Sequence, residues 1–167
     1  MKSLLLLFTL VTLSSCKKDE PAYEPGFGFE ANGVSYGWDF FNRPNLERQD
    51  VYFLRITSPN TLQPKFQLIG VNEDKNISVE LAMQTPVIEV AQYRSTLTYA
   101  DPYLESFFYL NGEEYAAHTG DEVIVNITGI RGNLASGYFR AVMHDRRTQL
   151  NKVDILKGYF KDVEIPQ

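Results

Sequence analysis

The chain has 167 residues, of which 44% are hydrophobic and 22% charged, and its 16 basic and 21 acidic side chains give a formal net charge of −5. This acidic balance lacks the positive potential that phosphate binding requires, so we expect no nucleic-acid partner. A single cysteine excludes an intramolecular disulfide, and the length suits one domain with its own hydrophobic core.

Residues 1–15 predict a signal peptide. A basic start at Lys2 leads into an apolar run over residues 4–13, about ten residues long against the roughly twenty that a membrane-spanning helix needs. The run ends in the Leu-Ser-Ser-Cys sequence of residues 13–16, which resembles the lipobox of bacterial lipoproteins. The resemblance implies transfer of diacylglycerol to the Cys16 sulfur, cleavage before Cys16 and acylation of the new amine. The alternative is a free thiol after an ordinary signal peptide.

The four residues after the cysteine are Lys17, Lys18, Asp19 and Glu20. They resemble the lysine-then-acid export signal of surface-exposed lipoproteins of the Bacteroidetes type, which implies an outer-membrane protein that faces the medium. The alternative is a solvated tether whose charges keep the linker extended. We expect residues 16–26 to be the lipidated cysteine and linker.

Residues 27–167 predict a single domain built almost entirely of strands. Short segments rich in β-branched and aromatic residues alternate with turn-forming residues. The apolar residues of segment 77–83 occupy every second position, as in an antiparallel sheet with one buried face. The strand segments with the clearest pattern are 51–57, 65–71, 77–83, 123–128, 134–143 and 154–165.

Three turns organise these segments. Asn32-Gly33 and Asn111-Gly112 predict β-hairpins, because a type I′ turn needs positive φ at two successive residues and Asn-Gly tolerates it. Residues 131–133 predict a further turn. About ten strands and no convincing helical period favour an antiparallel β-sandwich or a partly closed barrel.

A Gly-Tyr-Phe-base sequence occurs at residues 137–140 and again at 158–161. In each copy we expect the glycine to let a neighbouring side chain lie flat on the strand while the phenylalanine points inward. Two short matches do not establish a repeat.

The layout of the domain is similar to that of small β-sandwich lipoproteins of the Bacteroidetes type. The resemblance implies the fold. It implies no activity, because it rests on the layout of the strands and includes no invariant polar residue. It is carried by residues 29–36, 121–128, 135–139 and 156–160.

Residues for catalysis or metal binding are few. His118 and His144 are the only histidines and lie 26 positions apart without a metal-ligand motif, so we expect surface or turn histidines. The Gly-x-Ser-x-Gly motif, which forms the sharp turn that presents a catalytic serine, is absent. A catalytic triad of Ser136, a histidine and Asp145 would therefore lack that turn. The acidic loop 72–76 has oxygen ligands for calcium, but its internal lysine favours a plain turn. We expect no metal, no cofactor and no catalytic residue.

Paired carboxylates keep a small hydrolase open as an alternative function. Glycoside hydrolysis needs two carboxyl groups roughly 5 to 9 Å apart, a pairing that only the fold can assemble. The candidate acids are Glu80, Glu89, Glu105, Glu113 and Asp121.

Aromatic residues are the remaining candidates for binding. Tyr99 and Tyr103 flank a proline turn, and we expect them to be exposed and to contact a ligand from loop 97–104. We therefore expect a lipid-anchored, non-enzymatic surface module that contacts a glycan or an envelope protein, with a purely structural envelope component as a further alternative. The aromatic residues expected in the core are Trp38, Phe40, Phe107 and Tyr109.

Overall fold

The computed structural model describes residues 26–38, 51–56, 65–95 and 105–166, which form eleven β-strands and one short 3₁₀ turn. The prediction of an all-β antiparallel fold is confirmed. No helix among these residues is long and apolar enough to cross a membrane. The strands are β1 (Phe27–Ala31), β2 (Val34–Trp38), β3 (Val51–Ile56), β4 (Lys65–Asn72), β5 (Ile77–Met83), β6 (Gln92–Ser95), β7 (Phe107–Leu110), β8 (Glu113–Ala116), β9 (Val123–Arg131), β10 (Leu134–Asp145) and β11 (Lys152–Glu164).

The strands form one antiparallel sheet in the order β2-β1-β11-β10-β8-β7-β5-β4-β3. Strand β10 is long enough to pair with β9 along its first part and with β8 at its end, and β9 in turn pairs with β6. The sheet curls into a half-barrel. The curl brings β1 against β4, because a Cβ placed on Gly70 would lie 2.6 Å from the Phe27 ring.

The two Asn-Gly turns are confirmed as tight hairpins. Asn32 and Gly33 have φ of 49° and 81°, and Asn111 and Gly112 have φ of 51° and 94°. Positive φ at both central residues matches the right-handed twist of the flanking strands. The turn after β9 is also present, with φ of 65° at Gly132.

The core occupies one face of the curled sheet and is rich in aromatic rings. The Phe27 ring centroid lies 4.9 Å from that of Trp38 and 5.3 Å from that of Phe139. The Phe53 and Phe160 rings meet edge to face at 5.7 Å. These rings belong to β1, β2, β3, β10 and β11, so their contacts pack the five strands together. Aromatic pairs of this kind stabilise a core beyond the effect of the area they bury.

The two Gly-Tyr-Phe sequences are partners across β10 and β11. Gly137 lies opposite Phe160 and Phe139 lies opposite Gly158. A Cβ on Gly158 would lie 2.4 Å from the Phe139 ring, and one on Gly137 would lie 2.8 Å from the Phe160 ring. Each glycine therefore leaves room for the phenylalanine of the other strand, and both phenylalanines are buried as predicted.

The prediction that Phe107 and Tyr109 belong to the core is wrong. Strand β7 is a run of apolar and aromatic residues, and only its second residue, Phe108, is fully buried. Phe107 and Tyr109 point to the other face, where Tyr109 is 36% exposed. A continuous apolar run hides the alternation that tells one face from the other. Trp38 is buried as predicted, and Phe40 lies outside the described residues.

Candidate functional site

A row of paired residues crosses the sheet on the face opposite the core. Asn126, Tyr138, Tyr159, Gly28 and Gly37 are successive partners on β9, β10, β11, β1 and β2. Directly opposite residues in an antiparallel sheet share a face and lie about 5 Å apart. The row therefore places two tyrosines side by side, with two positions beyond them that have no side chain.

The two tyrosine rings are presented differently. Tyr138 is 61% exposed. Tyr159 is half-buried and lies over the backbone of β1, since a Cβ on Gly28 would be 2.7 Å from Tyr159 Oη and 2.8 Å from two ring carbons. Only glycine at position 28 lets the Tyr159 ring lie flat on its neighbour.

Two open depressions flank Tyr159, which lines both. We call the two tyrosines and these depressions the tyrosine face. The first depression has a volume of about 640 Å³, and its polar lining is Thr128, Arg131, Ser136, Lys161 and Asp162. The second has a volume of about 500 Å³, and its polar lining is Glu30, Ser35, Lys75 and Lys157.

Hydrogen bonds hold the polar groups of the tyrosine face in place. Arg131 and Asp162 form an ion pair at 3.2 Å, and the Asp162 backbone N–H donates to Ser136 Oγ at 2.9 Å. Lys157 and Glu30 form an ion pair at 2.7 Å beside the second depression. Each depression is thus bordered by one positioned cation and one positioned carboxylate.

Two irregularities in β11 lie on either side of Tyr159. Lys157 and Asp162 have φ of 51° and 55°, which is uncommon for residues other than glycine within a strand. The pairing of β11 shifts register near both. Bulges increase the local twist and re-aim side chains, so these two turn the strand where its side chains line the depressions.

The histidines come together although the sequence separates them. His144 Nδ1 lies 2.9 Å from Asp121 Oδ2, which also accepts the His118 backbone N–H at 2.8 Å. The two ring centroids are 6.1 Å apart. The part of the chain that the structure describes contains no group of three side chains able to hold a metal.

The catalytic triad considered from the sequence is not assembled. Ser136 and His144 lie on the same strand, about 26 Å apart at roughly 3.3 Å per residue. The Asp145 carboxylate instead accepts the backbone N–H groups of Arg147 and Thr148 in the next turn.

One of the candidate carboxylates, Glu105, lies near Arg146 together with Glu114, which was not a candidate. Arg146 pairs with Glu114 at 2.7 Å and with Glu105 at 3.8 Å. Burial raises the pKa of the nearby Glu80 carboxyl, and the Glu114 charge raises it further. Of the other candidates, Glu89 and Glu113 are exposed, and Asp121 is held by the histidines.

The acidic loop forms a capped turn. Asn72 Oδ1 accepts the Lys75 backbone N–H at 3.1 Å at the start of the 3₁₀ turn Glu73–Lys75, and Asn76 closes the turn with φ of 51°. The Asn72 side-chain oxygen, one of the candidate calcium ligands, therefore accepts a backbone hydrogen bond.

Tyr138 and Tyr159 were not among the candidate binding residues predicted from the sequence. The sequence did carry a signal for them, because successive side chains of a strand point to opposite faces. A tyrosine between a glycine and a phenylalanine that both face the core must therefore point outward. Tyr99, Tyr103, Cys16 and residues 17–20 lie outside the described residues. Compared with known proteins, the chain matches no family model, no curated protein and no solved structure.

Proposed function

We propose that this protein is a lipid-anchored module of the cell envelope that binds a glycan without changing it chemically. The observation that supports the proposal is the tyrosine face, where the 61% exposed Tyr138 stands beside Tyr159, held flat over Gly28. A sugar ring has an apolar C–H face that packs on an aromatic ring, and hydroxyl groups around its edge that need hydrogen-bond partners.

The polar surroundings favour a glycan over a protein partner. Arg131, Asp162, Ser136 and Thr128 surround the rings in the first depression. The buried centre of a protein interface is depleted in charged residues, whereas a sugar can satisfy hydroxyl and charged groups together. The polar lining of the first depression therefore suits a sugar, which carries many hydroxyl groups, better than the flat apolar surface of a protein partner.

The anchor belongs to the same proposal and rests on the sequence. Acyl chains on Cys16 hold the protein in the outer membrane, because each buried methylene contributes about 0.8 kcal/mol and several chains act together. Residues 17–20 direct it to the outer surface, and the linker up to residue 26 lets the domain reach ligands in the medium.

Binding of the full-length protein in detergent micelles to a glycan array tests the proposal. We expect a saturable hit that Tyr138→Ala combined with Tyr159→Ala weakens at least tenfold. Tyr109→Ala is the matched control, since Tyr109 is an exposed tyrosine on the distant strand β7. Tyr99→Ala combined with Tyr103→Ala tests the loop predicted from the sequence.

The outcomes separate the candidate sites and partners. Loss of binding only in the Tyr99 and Tyr103 variant would move the site to loop 97–104. No glycan hit at all would contradict the proposal, and surface crosslinking to an envelope protein would then identify the other class of partner.

A hydrolase is the second candidate function, and Glu80 is the observation that favours it. A carboxyl with a raised pKa near a second carboxylate is the arrangement of a general acid and its partner. Glu114, however, is already paired with Arg146 at 2.7 Å. Release of nitrophenol from aryl glycosides that Glu80→Gln abolishes would support the hydrolase, and we expect none.

A further inference from the structure

The tyrosine face carries an excess of positive charge in a protein that is negative overall. Its two depressions are lined by four cationic side chains and two carboxylates, against a formal net charge of −5 for the chain. The carboxylates Asp162 and Glu30 are each paired with a cation, Arg131 and Lys157 respectively. The remaining two cations, Lys75 and Lys161, line opposite depressions.

Lys75 and Lys161 are the two lysines of the tyrosine face that have no carboxylate partner among the described residues. Among the residues that the structure describes, neither side chain forms an ion pair with a carboxylate, and both are exposed. Glu73 and Asp74, the acids next to Lys75 in sequence, do not line the depression. Within the described part of the chain, each depression is therefore lined by one lysine that forms no ion pair, and Tyr159 lines both depressions.

We infer that the ligand of the tyrosine face is an acidic saccharide, with carboxylate or sulfate groups on its sugar rings; this inference rests on the proposed function. The rings pack on Tyr138 and Tyr159, and the anionic groups accept charge-assisted hydrogen bonds from Lys161 and Lys75. Because the whole chain repels anions at long range, binding an acidic ligand requires such local cations.

The spacing along β11 gives the distance between the two depressions, since Lys157 lines the second and Lys161 lines the first. Lys157 and Lys161 lie on either side of Tyr159 in the same strand, about 13 Å apart at roughly 3.3 Å per residue. A ligand that reaches both depressions must extend across Tyr159. The acidic saccharide is therefore an oligomer with acidic groups on separate sugar rings.

The test compares oligogalacturonate with a neutral oligogalactan of the same length, using full-length protein in detergent micelles. We expect the acidic oligomer to bind about tenfold more tightly, since hydrogen bonds to charged groups contribute on this order. Lys75→Gln combined with Lys161→Gln should remove this preference, so that the two oligomers then bind about equally. Lys152→Gln, at a lysine that pairs with Asp154 away from the tyrosine face, is the control.

The inference and the proposed function fail in different ways. Equal binding of both oligomers, lost in Tyr138→Ala with Tyr159→Ala, overturns the acidic preference and leaves glycan binding in place. A third outcome is that the acidic oligomer binds, that the lysine changes remove this binding and that the tyrosine changes do not affect it. This outcome overturns both the inference and the proposed function, because the binding is then ion exchange without ring stacking. Binding of neither oligomer overturns the inference, and the glycan array then decides the proposed function.

Discussion

Single glycines decide where the aromatic rings lie on this sheet. Gly137 and Gly158 each leave room for a core phenylalanine from the partner strand, and Gly28 does the same for Tyr159 on the opposite face. In all three cases the missing Cβ is what lets a ring lie against the backbone. The same device therefore builds both the core and the candidate binding surface.

Gly158→Ala should lower the free energy of unfolding by about 2 to 3 kcal/mol, the cost of forcing extra atoms into a packed core. The new Cβ would meet the Phe139 ring at 2.4 Å and the Phe139 carbonyl oxygen at 2.6 Å. Gly129→Ala is the control, since nothing lies within 4 Å of its Cβ position, and it should change stability by no more than about 0.5 kcal/mol. Equal losses in urea unfolding would contradict the packing argument.

Glu80 should make stability depend on pH. Its raised pKa means that the folded state holds the proton more tightly, so the stability it contributes is present at low pH and is lost as the pH rises through the folded pKa. Glu80→Gln should therefore unfold at higher urea than the native protein at pH 7, with the difference vanishing below about pH 4. A difference independent of pH, or the same gain in the exposed Glu113→Gln, would refute this.

At the scale of the element, β10 and β11 form the hairpin that carries the tyrosine face. The turn between them starts at Asp145, whose Oδ1 accepts the Thr148 backbone N–H at 2.6 Å, its hydroxyl at 2.9 Å and the Arg147 backbone N–H at 2.9 Å. These bonds, led by those from Thr148, lower the pKa of Asp145. The register of the two strands thus depends on one carboxylate as well as on the glycine and phenylalanine pairs.

Asp145→Asn should destabilise the hairpin at neutral pH. A lowered pKa means that the stability from Asp145 is present above its unfolded pKa and is lost as the pH falls through the folded pKa. The melting temperature of the variant should therefore fall below that of the native protein at pH 7, and the gap should narrow in acid. Asp154→Asn, at a partly exposed carboxylate paired with Lys152, is the control. A constant gap from pH 7 to pH 2 would refute the role of the charge.

At the scale of the whole molecule, the curl of the sheet separates the core from the candidate binding surface. One face turns inward and joins β1 to β4 and β3 to β11 through Phe27, Gly70, Phe53 and Phe160. On the other face Tyr138 is exposed and Tyr159 is half-buried. Gly26 lies beside this face, since its carbonyl accepts the Lys161 backbone N–H at 2.8 Å.

Cys16→Ala should release the protein from the membrane, because no thiol would remain to carry acyl chains. Fractionation of cells into membrane and soluble material measures this directly. Unchanged partitioning into the membrane would refute the lipoprotein prediction.

Replacing Lys17, Lys18, Asp19 and Glu20 by alanine should leave the protein in the membrane fraction and hide it from protease added to whole cells. The expected result separates export from anchoring, since Cys16 is untouched. Continued digestion on whole cells would show that these residues are only a tether.

Local patterns predicted much of the fold. The Asn-Gly turns and the alternation in 77–83 were informative because backbone conformation and strand period depend on neighbouring residues only. The prediction for strand β7 was wrong, since its continuous apolar run has no alternation that tells the buried face from the exposed one. The tyrosine face was hidden because Gly28 is 131 positions from Tyr159, and pairing at that distance leaves no local signal.

The sequence by itself determined the strand-rich domain, its tight turns and the lipobox-like segment on which the anchor prediction rests, because each depends on residues adjacent in the chain. Only the tertiary structure decided which strands meet. It set Tyr138 beside Tyr159 over Gly28, joined His118 to His144 through Asp121, and brought Glu80 close to Glu114. The physical reason is that a sheet curled into a half-barrel pairs residues by register between distant strands, and register is fixed by the packing of the whole core.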